Sequence, residues 1–341
     1  MTRTTRTART VGRALVLGAA LPFVVGVAAA PAVPPRGQVE LTFRDPEIVE
    51  SSGLVARDDL VLTVNDSGDT GRVFAVDRGT GETVGVTSWA AEPDDVEALA
   101  PVAGSDGAAG EVWVGDIGDN PQTRDTVTVL RVPVGVGYRD VEPASYELVY
   151  PDGPRDAETL MTDPATGRLV VVTKGIFGGE VYVSAPPDRL SPDRPNPVRR
   201  VGSALGIATD GAFWPDGRHL VVRGYADAVV YTWPALDEVA TLGLPDQQQG
   251  EGVAVDPAGA VLLSSEGARS EVLRLRLPPR VAAAVAPEPE PTATATAAPD
   301  PATDPSLQQP LPERSAWPYV VGAGFGVVML TLLVRSLRPR G

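Results

Sequence analysis

The chain has no cysteine and, among 341 residues, a single histidine (His219) and a single lysine (Lys174). No disulfide, thiolate nucleophile or cysteine-zinc site can form. A histidine-built metal centre has one candidate residue, which does not suffice. Both ends of the chain lack acidic residues. They hold seven of the 29 basic residues, so the part between them sets 44 acids against 22 bases, a net charge of about −22. That balance disfavours nucleic acid and anionic lipid as partners and favours cations or basic ligands. Between residues 38 and 280 helical periodicity is scarce. Short apolar runs punctuated by Gly, Pro and Asp argue an all-β domain there.

The ends are of a different kind. Residues 1–32 carry Arg3, Arg6, Arg9 and Arg13, then an apolar run from Ala14, then Ala30-Pro31-Ala32. This is the layout of a secretory signal peptide. Residues 317–334 form an uncharged run long enough to cross most of a bilayer core of about 30 Å. Trp317 and Tyr319 open it, and Arg335, Arg338 and Arg340 follow within the short basic segment 335–341. Positive charge stays cytoplasmic, so a single-pass anchor with the domain outside the cell is expected. The sorting motif LPxTG is absent; Leu311-Pro312-Glu313-Arg314-Ser315 is no match. Residues 281–316, rich in Pro, Ala and Thr, read as an extended stalk.

A repeat runs through the middle of the chain. Five segments begin with an acidic or hydroxyl residue, a small residue and then apolar ones: Ser52-Gly53-Leu54, Glu97-Ala98-Leu99, Glu158-Thr159-Leu160, Asp210-Gly211-Ala212 and Glu251-Gly252-Val253. Each is followed by a turn, a β-rich run and a third strand. A fourth strand is present in the first four repeats, at 83–89, 145–150, 198–203 and 239–244. The fifth repeat lacks one, and an unused strand at 39–43 precedes the first. The economical solution is a five-bladed β-propeller in which that N-terminal strand completes the last blade; six blades is the alternative. These repeats resemble the broad propeller superfamily of NHL, WD40-like and gluconolactonase-like proteins, over residues 38–280, without a Gly-His…Trp-Asp signature. The resemblance implies the fold, not an activity.

In such a blade the start of the innermost strand and the end of the second lie on one face of the disc. Ser52, Glu97, Glu158, Asp210 and Glu251 are then expected around one channel mouth, joined by Asp66, Asp116, Lys174, Arg223 and Glu266 from the second strands. Seven carboxylates face two cations. Like charges about 7 Å apart repel by roughly 2 kcal/mol at an effective dielectric of 20, so a cation, raised pKa values or backbone N–H donors must relieve them. Carboxylates without histidine or cysteine suit a hard ion such as Ca²⁺. Asp66-Ser-Gly-Asp69 and Asp116-Ile-Gly-Asp119, with Asn120 beside the second, are candidate metal loops, with ordinary turn chemistry as the alternative. Two functions remain open. One is a ligand- or partner-binding module presenting the mouth and the loops 104–110 and 175–179. The other is a metal-dependent hydrolase with Glu97 or Glu251 as base and Lys174 or Arg223 stabilising the developing anion. His219, at the start of a second strand, belongs away from the mouth.

Overall fold

The computed structural model describes residues 37–286 except Ser67 and residues 106–108. The expected signal peptide, the apolar run 317–334, the basic segment 335–341 and most of the expected stalk lie outside the described residues. Among the described residues no helix is long and apolar enough to cross a membrane.

Five sheets make up the domain. The first runs Ser51–Ala56, Leu60–Asn65, Arg72–Asp77, Thr83–Trp89. The second runs Val96–Pro101, Ala109–Asp116, Val127–Gly135, Ala144–Val149, and the third Ala157–Thr162, Leu169–Thr173, Gly179–Val183, Arg199–Ala204. The fourth runs Asp210–Phe213, His219–Arg223, Asp227–Thr232, Glu238–Gly243. The fifth has Val253–Val255, Val261–Leu263 and Glu271–Leu275 in order, and its outermost strand is Gln38–Thr42, antiparallel to Glu271–Leu275. The innermost strands neighbour one another in succession, and the last packs against the first. This is a five-bladed β-propeller closed by the N-terminal strand. The six-bladed alternative is excluded. Two strands went unread in the sequence. Gly137–Val141 and Asn196–Pro197 leave blades 2 and 3 to pair in parallel with the outer edges of blades 1 and 2.

Strand periodicity explains the packing. Successive side chains point to opposite faces, and each blade has a neighbour on either face. Inner and second strands are therefore apolar on both sides: Leu60–Asn65 and Leu169–Thr173 are buried throughout, as expected of doubly covered strands. Thr83–Trp89, at the rim, alternates instead. Within one strand, Leu60 and Leu62 enter the core shared with blade 2, while Val61 enters the one shared with blade 5. Five apolar clusters result, one per seam. Trp113 and Leu160 mark the seam of blades 2 and 3, Met161 and Val222 that of 3 and 4, Trp214 and Val253 that of 4 and 5. The fifth, around Phe43, Leu54, Phe74 and Leu262, closes the ring. Ion pairs reinforce it: Arg78 holds Glu40 at 2.6 Å and Asp256 at 2.7 Å, and Arg274 holds Glu40 at 2.8 Å.

A short helix, Pro279–Ala284 (α1), follows the last strand and packs Val281 and Val285 into the seam of blades 4 and 5. The folded domain thus continues a few residues past 280.

Candidate functional site

The inner strands begin close to the axis. A Cβ on Gly53 would lie 2.2 Å from the Leu99 nitrogen, so only glycine permits this approach of blades 1 and 2. Around that opening, Ser52, Glu97, Glu158, Asp210 and Glu251 are all buried. Their side chains divide into two groups.

One group is built into the wall. Ser52 Oγ donates to the Glu97 carbonyl at 2.7 Å. Thr209 Oγ1 donates to the Glu251 carbonyl at 2.9 Å, the same tie between blades 4 and 5. The Asp210 carboxylate accepts the backbone N–H of Gly211 and of Val253, both at 2.8 Å. Burial pushes its pKa up against the pull of those donors and of Arg223. Arg223 is fully buried, and its guanidinium donates to the Gly252 and Ser264 carbonyls and to the Gln247 side chain. Burial lowers its pKa to about 10. Arg223 is therefore occupied by main-chain carbonyls of blade 5, not presented at the mouth as expected.

The other group faces the opening. Carboxylate oxygens of Asp66, Asp95 and Glu97 lie within 4.8 Å of one another. Two ionised carboxylates at that distance repel by about 3 kcal/mol at an effective dielectric of 20. Glu97 is 5% exposed, and its carboxyl has no hydrogen-bond partner among the described residues. Burial first, then the charges of Glu158, Asp66 and Asp95, push its pKa far up. Burial and Asp66 also raise Asp95. Beyond Glu97, the Lys174 ammonium donates to Glu158 at 2.5 Å. Burial still raises Glu158, with Lys174 opposing. Burial, then Glu158 and Glu266, push Glu251 up to about 8. Glu266 accepts from the Gln249 amide at 2.7 Å.

The two D-x-G-D loops do not converge as expected. Asp69 turns away to the Arg72 guanidinium at 2.8 and 2.9 Å and accepts the Asn65 amide at 2.7 Å. Asp116 accepts the backbone N–H of Asp94 and Asp95 and pairs with Arg124 at 2.8 Å. Asp119 accepts the backbone N–H of Thr123 and Arg124, and Asn120 is exposed at the turn. In these positions short polar side chains satisfy local main-chain donors, as turn residues do. Of the five candidate ligands only Asp66 points into the acidic cluster.

Asp95 was the residue missed. The signal lay two places before the ring position: Glu50, Asp95 and Asp156 precede Ser52, Glu97 and Glu158 at that interval. Of the loop 104–110, the described Gly104, Ser105 and Gly110 lie at the far end of the inner strand of blade 2, on the face opposite the acidic mouth and not at it as expected. At that face the channel ends in an apolar cavity of about 160 Å³ lined by Leu54, Leu99, Leu160, Met161, Phe213 and Trp214. His219, paired with Asp216 at 2.6 Å, lies at the start of a second strand, away from the acidic mouth.

No family model matches the sequence, and no curated protein matches it. Among solved structures, several are similar to it at low identity. The glutaminyl cyclase of Myxococcus xanthus is 13% identical with a TM-score of 0.44, over 71% of this chain and 94% of that one. A glucose dehydrogenase is 9% identical with a TM-score of 0.45, over 72% of this chain and all of that one. A chain of the mitotic checkpoint complex is 13% identical with a TM-score of 0.36, over 67% of this chain and 64% of that one. The five-bladed propeller itself rests on the strand pairing and the five seams.

Proposed function

We propose that this chain is an extracellular binding module, carried by its apolar C-terminal run, whose acidic channel mouth takes a cation. The observation that supports this reading is Glu97: a buried carboxyl without a hydrogen-bond partner among the described residues, within 4.8 Å of Asp66 and Asp95. Such a group is costly to keep ionised without a counter-charge. Hard oxygen donors in this number suit Ca²⁺, with Asp66, Asp95 and Glu97 as the residues that would hold it. The hydrolase reading has less support, because Arg223 is closed off and Lys174 is already paired with Glu158.

The test is thermal unfolding in Ca²⁺ and in chelator. Ca²⁺ is expected to raise the melting temperature, and Asp95→Asn or Glu97→Gln to abolish the rise. An unchanged melting temperature overturns the proposal.

A further inference from the structure

Resting on the reading that the acidic mouth takes cations, we infer that its ligand class includes an organic ammonium carrying an apolar group, with the head among Glu97 and Glu251 and the apolar part against the rim of blades 3 and 4. Lys174 is the precedent within the molecule. It already places one ammonium in the mouth, on Glu158, the ring carboxylate between Glu97 and Asp210. One ammonium balances one carboxylate. Among the described residues neither the Glu97 nor the Glu251 carboxylate has an ion-pair partner, whereas Glu158 has Lys174.

The rim beside this half of the mouth is apolar where loops are ordinarily polar. Ile176 is 79% exposed, Phe177 is fully exposed, and Ile207 and Tyr225 are more than 40% exposed. Three loops carry them, and the loops are held together. The Ile207 N–H donates to the Gly175 carbonyl at 3.0 Å, one residue from Lys174. A Cβ on Gly206 would meet the Gly175 oxygen at 2.6 Å. Ile207 has φ of +53°, a left-handed conformation unfavourable for a β-branched residue. The fold therefore spends strain on a segment that leaves this side chain partly in water. Tyr225 stands two residues past the end of His219–Arg223, whose last residue pairs with Asp210, so it lies on the face of the acidic mouth. An acidic well flanked by aromatic and aliphatic surface is complementary to a cation with an apolar substituent, and a bare metal ion uses only the well.

The experiment is calorimetric titration of the full chain in nanodiscs, with protein-free nanodiscs as blank, using phenethylammonium, methylammonium and the uncharged 2-phenylethanol. Phenethylammonium is expected to bind at least ten-fold more tightly than methylammonium, and 2-phenylethanol not to bind. The double variant Ile176→Ser, Phe177→Ser is expected to reduce phenethylammonium to the methylammonium level and to leave stabilisation by Ca²⁺ unchanged. Glu97→Gln with Glu251→Gln is expected to lose both amines. Equal affinity of the two amines, or indifference to the rim variant, overturns the inference. Stabilisation by Ca²⁺ without amine binding also overturns it and leaves the cation site standing, whereas no response to any cation overturns both.

Discussion

Glu97 and Asp210 hold the same place in blades 2 and 4, and their carboxyl groups do opposite things. Asp210 caps the main chain of its own strand and of the next inner strand. Glu97 reaches past the main chain into an opening where Asp66 and Asp95 are its neighbours. One methylene separates the two side chains. The shorter one can fold back onto N–H donors beside it, and the longer one overshoots them. Arg223 completes the difference, because it fills the wall beside Asp210 with a cation bonded to carbonyls, while Lys174, one place beyond the matching Thr173 of blade 3, stays partly exposed and faces Glu158.

Removing the wall residues tests that contrast most severely. Arg223→Met strands the carbonyls of Gly252 and Ser264 and leaves Asp210 buried without its cation, and is expected to cost about 3–5 kcal/mol. Asp210→Ala orphans two buried N–H donors and should cost about 2–4 kcal/mol. Urea denaturation measures both, and parental stability in either would break the distinction between wall and mouth.

The mouth should behave in reverse. Glu97→Gln, measured the same way in chelator, is expected to leave stability equal or raise it by about 1 kcal/mol, since it removes a repelled charge rather than a bond. The pH profile follows from the same groups. Glu97, Glu158 and Glu251 bind protons more tightly folded than unfolded, where a glutamate titrates near 4.5. Stability is then complete below about pH 4.5 and is withdrawn as pH climbs toward values such as the 8 of Glu251 and beyond. Denaturation midpoints at pH 5, 7 and 9 in chelator should fall in that order, and Ca²⁺ should flatten the fall. A flat profile in chelator would remove the mouth's claim to stored repulsion. The smallest effect is expected of Asp69→Asn: about 0.5–1 kcal/mol from a half-buried ion pair, with the Ca²⁺ response intact. Loss of that response would restore Asp69 as a ligand.

The propeller was legible because it is written as periodicity. Two-faced apolar strands such as Leu60–Asn65, turns, and one missing fourth strand matched by one spare strand at the N-terminus leave little other choice of closure. The site was half legible. Repeat position places Glu97, Glu158 and Glu251 at one opening, but it does not say where a carboxylate turns. Asp116 and Asp210 sit where the repeat puts them and are consumed by N–H groups that only the folded main chain supplies. The parallel pairing of Gly137–Val141 with blade 1 was hidden for a related reason. It depends on the outer edge of another blade being within reach, not on the segment's own pattern.

The pairing of Gln38–Thr42 with Glu271–Leu275 has a consequence for synthesis. Glu40 and Arg274, which bridge that seam, are 234 residues apart. At translation rates of about 5–20 residues per second, the strand made first waits on the order of ten to fifty seconds for its partner. Throughout that interval the nascent chain carries an open edge and the uncovered faces of Leu54 and Phe74. The ribosome's last few turnovers on this domain, rather than its first, decide when it becomes safe from its neighbours.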